Sequence, residues 1–216
     1  MNTAVAFQRA RKPAEQELRR AAILRAAAEL FDAEGEQGAS LSAIAARAGF
    51  TKSNVYRYFE SREEVLMSLF VSELAGFVAS FETDMSDCTP GDLDTIARIS
   101  ADGFVSRPRF CALISILSSV LERNVSIEKV VALKQVVASE NQRIANAMAS
   151  RLPGATFEDC AWVATMGASM VAGMWPNVTP SPVAAKVLAM PEYAHLKPVP
   201  ERDLARAIRA LLASIA

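Results

Sequence analysis

Residues 40–62, SLSAIAARAGFTKSNVYRYFESR, constrain this chain more than any other stretch. Leu41, Ile44, Ala45 and Ala48 recur at helical spacing, which predicts a short helix with one apolar face. Ser40 stands at its N-cap position. Gly49 follows the last apolar residue, where a left-handed backbone commonly ends a helix. Thr51 is placed to cap a second helix starting at Lys52, with Val55 and Phe59 as its buried stripe.

At about 100° per residue, Ser53, Asn54 and Arg57 fall opposite that stripe. Lys52 and Tyr56 border one edge of the exposed arc and Tyr58 the other. Short hydrogen-bonding groups at the centre let the backbone approach base edges, while Lys, Arg and phenol hydroxyls at the border reach phosphates. The pair reads as a helix-turn-helix whose recognition helix is 52–59. Amphipathic helix pairs around a glycine also occur in helical proteins that never touch DNA, so periodicity alone leaves both readings open.

The residues themselves go further. L-x-x-I-A-x-x-A-G-F-T-K-S-N-V-Y-R-Y-F-x-S-R-E-E-V-L resembles the DNA-binding signature of TetR/AcrR-type transcriptional repressors across about residues 16–70. Phe50 stands where a smaller Val is usual, and Arg62 where the family usually has a phosphate-holding lysine. Arg keeps the charge but changes the geometry. The resemblance implies that Ser40, Ser42, Thr51, Lys52, Ser53, Asn54, Tyr56, Arg57, Tyr58 and Arg62 contact double-stranded DNA.

The charge distribution agrees. The chain carries a net charge of −1, which argues against coating nucleic acid along its whole surface. Residues 1–62 hold 10 Lys+Arg against 7 Asp+Glu, and the remainder holds 13 against 17. The positive excess therefore sits where phosphate contacts would need it. Arg9, Arg11 and Lys12 lie in a basic stretch before Glu15, read as an arm able to reach a minor groove or as a solvated tail.

Everything else reads as helix, with no strand or repeat. The expected fold class is all-α: a three-helix DNA-binding domain over 1–62 and a helical ligand-binding and dimerisation bundle over 63–216. A first helix is expected from Glu15 to Gly35 and another from Arg62 to about Phe81, opened by a capping box at Ser61-Arg62-Glu63-Glu64. Further helices are expected at 92–106, 109–123, 126–152, 156–175, 183–190 and 201–215. The chain has 216 residues, 51% of them hydrophobic, enough for a sizeable core. Its longest apolar run, Cys160–Trp175, is too short to span a bilayer. No apolar leader follows the first basic residues. A cytoplasmic protein with no membrane partner is expected.

Cys88, Cys111 and Cys160 are odd in number and widely spaced, so they suggest buried thiols rather than disulfides or metal ligands. A redox role is the alternative. No metal, cofactor or catalytic residue set emerges, and an enzyme is not expected.

Cys111, Ser115, Ser118 and Ser119 form a polar stripe on the expected 109–123 helix. It either lines a cavity or allows close packing, with packing the preferred reading. Phe104, Phe110, Cys111, Ser115, Ser118, Met166 and Met170 are the candidate effector contacts, and with Trp162 they suggest an apolar or aromatic molecule. Ala161, Ala164, Ala168, Val171 and Trp175 recur at three- and four-residue steps. With Leu204, Ile208 and Leu211 they are the candidate dimer surface. The resemblance implies a homodimeric repressor on a palindromic operator, released by a small molecule. The alternative is a regulator of the same fold without an effector, governed by a partner protein or by its own concentration.

Overall fold

The computed structural model describes the backbone of residues 3–216 and the side chains from residue 14 onward. Among the described residues there are ten α-helices and no strand. The first, α1 (Thr3–Gly38), begins well before Glu15 and runs through Pro13. The basic side chains Arg9, Arg11 and Lys12 lie outside the described residues. Gly35 sits at φ 68° and bends α1 where the helix was expected to end.

The next two helices are α2 (Leu41–Arg47) and α3 (Lys52–Val55). Ser40 Oγ accepts from Ala43 N–H at 3.2 Å and Thr51 Oγ1 from Asn54 N–H at 3.3 Å, so both expected caps form. Between them, Gly49 takes φ 73°. Its N–H donates to Ala46 O, and the Phe50 N–H donates to Ala45 O at 2.8 Å. This is the paired closure that a left-handed C′ glycine permits. The recognition segment is shorter as α-helix than expected. It tightens after Val55, but Tyr58 N–H and Phe59 N–H still donate to Val55 O at 2.9 and 3.0 Å, so the turn carries on to Phe59.

Helix α4 (Arg62–Ser86) joins the two halves of the molecule. Ser61 Oγ accepts from Glu64 N–H at 3.1 Å, but Glu64 Oε2 accepts from Glu60 N–H rather than Ser61 N–H, so the capping box closes one residue early. Its length and apolarity would suit a membrane span by composition, yet half of its most apolar window is buried inside the fold. Val65, Leu66 and Val78 are fully buried.

The second unit is built from α5 (Leu93–Val105), α6 (Pro108–Leu117), α7 (Ile127–Ala149), α8 (Phe157–Val178), α9 (Pro182–Leu188) and α10 (Pro200–Ala213). Helix α4 packs on α7, α8 on α6 and α7, and α10 on α5. Two boundaries differ from expectation. Helix α6 stops at Leu117 and gives way to a 3₁₀ turn at Leu121–Asn124, because Ser118 and Ser119 compete poorly as helix formers. Helix α8 passes through Pro176 to Val178. That proline is exposed in the last turn, where water can satisfy the carbonyl it leaves without a partner. Thr156 and Asp159 complete a reciprocal capping box at the start of α8.

Candidate nucleic-acid interface and regulatory cavity

Val55 and Phe59 are buried at 0% and 1% exposure, which fixes the orientation of α3. Thr51, Lys52, Ser53, Asn54, Tyr56 and Arg57 are then all exposed on one arc, with Ser40 and Ser42 exposed beside them. The Lys52 ammonium lies 5.8 Å from the Tyr56 ring centroid, so cation and phenol stand together at one edge. Tyr58 is half-buried against the core and lies near the Arg19 guanidinium, whose pKa Glu15 raises first and the Tyr58 hydroxyl second. On α1, Arg20 covers the Phe59 ring at 4.4 Å and donates to Ser68 Oγ at 3.0 Å, bracing the recognition segment against α4.

Arg62 departs from the expected role. Its Nη2 pairs with Glu36 Oε1 at 2.9 Å and with Glu63 Oε1 at 3.2 Å, and its Nη1 donates to the Glu36 carbonyl. The guanidinium is therefore held half-buried against the protein, tying the end of α1 to the start of α4. The family's lysine would be a compact point charge, whereas the planar fork of Arg can serve both carboxylates at once.

Between α4, α6, α7 and α8 lies a cavity of about 380 Å³. Phe104, Phe110 and Ser118 line it as expected. Cys111, Ser115, Met166 and Met170 do not. Cys111 is fully buried with its thiol directed at Phe104 O, 3.2 Å away, and burial pushes its pKa up to about 12. Ser115 Oγ donates to Cys111 O at 2.9 Å, a bond within its own helix. Met166 and Met170 are half-buried on α8 away from the cavity. Most of the polar stripe is thus packing. No local pattern in the sequence marks the α4 wall of Phe70, Leu74 and Phe77 or the α7 wall of Lys134, Asn141 and Ile144. Five Phe–Phe contacts, the tightest 4.7 Å between Phe77 and Phe104, join the floor into one aromatic cluster.

The expected dimer stripe also changes. Val171, Trp175, Leu204 and Ile208 are buried in the protomer's own core at 4% exposure or less, so they offer a partner no surface. Ala164 and Ala168 line the cavity, and Ala161 and Leu211 are half-buried against the core. The outer face of α8 is instead formed by Trp162, 45% exposed, with Gly173. The small, apolar face of α8 points toward the cavity and the protomer's own core.

Two family models match this chain. "Bacterial regulatory proteins, tetR family" covers residues 23–69, and "Tetracyclin repressor-like, C-terminal domain" covers residues 71–215. The chain belongs to the TetR family. As a TetR-family protein it is a DNA-binding transcriptional regulator rather than an enzyme. The fatty acid metabolism regulator protein of Bacillus subtilis (strain 168) is 32% identical over 65 residues, 30% of this chain and 34% of that protein. The match thus spans about a third of that relative's length. Among solved structures of the family, the transcriptional regulator FadR from Bacillus subtilis in complex with stearoyl-CoA superposes with a TM-score of 0.54 at 18% identity, covering 90% of this chain and 98% of that one. SmeT, the repressor of the Stenotrophomonas maltophilia multidrug efflux pump SmeDEF, gives a TM-score of 0.53 at 22% identity, covering 90% and 89%. At these identities the likeness is one of fold.

Proposed function

We propose that the chain is a cytoplasmic, homodimeric repressor that binds a palindromic operator through 52–59 and leaves it when a small molecule fills the cavity. The observation that carries this reading is the continuity of α4. Its first turn, capped by Ser61, adjoins the recognition segment, and Phe70, Leu74 and Phe77 further along it line the cavity. A molecule in the cavity therefore touches the helix that seats the recognition segment. Two ion-pair groups reinforce the link. Arg109 on α6 lies 3.5 Å from Asp32 on α1 and 3.0 Å from Glu73 on α4. Lys129 on α7 pairs with Glu64, the hydrogen bond to which is the main reason its pKa is raised. Release requires only that the effector prefer the state in which the two recognition segments are wrongly spaced. The cavity favours this reading over an effector-independent regulator.

Phosphate contact by the exposed arc is tested by mobility-shift titration at several salt concentrations. Lys52→Ala should weaken binding on all sequences and lower the salt slope by about one for each bound half-site, and Tyr56→Phe should weaken it by removing one hydroxyl contact per half-site. Unchanged affinity in both variants would take these residues out of the interface.

A further inference from the structure

We infer that the cavity takes a straight acyl chain with a carbonyl-type acceptor head, tail against the Phe77–Phe104 pair and head at Lys134. This names the effector class for the ligand-released reading above and rests on it.

The first observation is the separation of polarity along the cavity. Its floor is buried and apolar, with Phe70, Phe77, Phe104 and Phe110 at 6% exposure or less. Its polar lining residues, Ser118, Lys134, Asn141, Thr165 and Ser169, are exposed or half-buried, so they gather at the mouth. One end suits hydrocarbon and the other a polar head.

The second is the sign of the mouth. Among the described residues no carboxylate lines the cavity. Lys134 gives one N–H to Glu122 at 2.6 Å, and an ammonium has two more. Ser118 has no hydrogen-bond partner among the described residues. Asn141 Nδ2 makes only long contacts, 3.4 Å to Thr165 Oγ1 and 3.5 Å to Ala161 O. The Thr165 and Ser169 hydroxyls already donate to carbonyls of their own helix, so the donors left at the mouth are Lys134, Ser118 and Asn141, and it is these that an acceptor head satisfies and an ammonium head does not. The phenyl rings do not form a cage for a cation either. They lie against one another, and the Arg107 guanidinium already stands 5.9 Å from the Phe77 ring centroid.

The third concerns length. Behind the floor lies an inner void of about 30 Å³ that shares Phe77, Phe104, Ile144 and Ala164 with the main cavity. Gly167 lines this void, and a Cβ added there would meet Phe104 Cε2 at 3.9 Å. Phe104 lines both spaces, and the missing side chain at Gly167 leaves room beside its ring for the end of the chain.

Calorimetry on the full chain with octanoate, decanoate, dodecanoate, tetradecanoate and their alkyltrimethylammonium counterparts, all below micellar concentration, tests this. The affinity of the carboxylates should rise about fourfold per methylene until the space is filled. Each should bind at least about tenfold tighter than its ammonium counterpart. Gly167→Val should end the rise at a shorter chain, with melting temperature as the check on folding. Dodecanoyl-coenzyme A, run beside dodecanoate, distinguishes a thioester source from a free acid. Equal or tighter binding of the ammonium series, or no binding of any acyl compound, would overturn the inference whatever the variant does. Operator release is measured separately by mobility shift. Acyl binding without release would leave the ligand assignment standing and refute ligand control; release by a cationic dye with no acyl binding would do the reverse.

Discussion

Gly49 shows how a single backbone position sets the recognition geometry. It holds φ at 73° with nothing within 4 Å of where a Cβ would stand, so a side chain there meets strain and no clash. Gly49→Ala should therefore cost about 1–2 kcal/mol, the price of a left-handed non-glycine residue, and be visible in urea unfolding. A neutral substitution would mean the turn is not held in this conformation. Cys111 makes a prediction about pH. Its ordinary thiol value of 9.0 is moved up to about 12 by burial. Below pH 9 folded and unfolded chains both keep the proton. Between about 9 and about 12 only the folded chain keeps it, so the thiol's contribution to stability falls as pH rises through that window. Cys111→Ala should flatten this alkaline loss of melting temperature relative to the native chain, and the folded thiol should resist alkylation at pH 8. Rapid labelling of native protein at Cys111 would contradict the burial. Arg62 shows the limit of reading a residue by its place in a motif. The motif gives the charge, but only the structure shows Glu36 and Glu63 consuming it.

Helices were legible where periodicity, caps and glycines agreed. Ser40, Thr51 and Thr156 all cap the helices that their positions implied. What periodicity does not carry is which neighbour each face meets. The Ala164, Ala168 and Ala172 row on α8 has the spacing of a close helix contact, and it borders a cavity against α7. The α4 phenylalanines read as one more core stripe, although Phe70 and Phe77 form a wall of the candidate site. Interfaces between distant segments leave no local pattern, so half of the cavity was invisible along the chain. The α6 end was misjudged for a local reason: apolar residues continue to Leu121, but the 3₁₀ turn keeps Leu121 buried without extending the helix.

For the whole molecule, the proposed function makes assembly and DNA binding one question, because a palindromic operator needs two recognition segments at fixed separation. The outer face of α8, with Trp162 exposed on it, is the surface proposed for a self-complementary contact. Trp162→Glu should give folded monomers by analytical ultracentrifugation and weak operator binding, and an intact dimer would move the interface elsewhere. The account is tested most directly by selecting bound duplexes from a random pool with the full chain and footprinting the winners. It predicts an inverted repeat with two protected major-groove segments about 34–36 Å apart, both weakened to the same degree in Lys52→Ala. Enrichment of a single half-site, or no sequence enrichment at all, would contradict it.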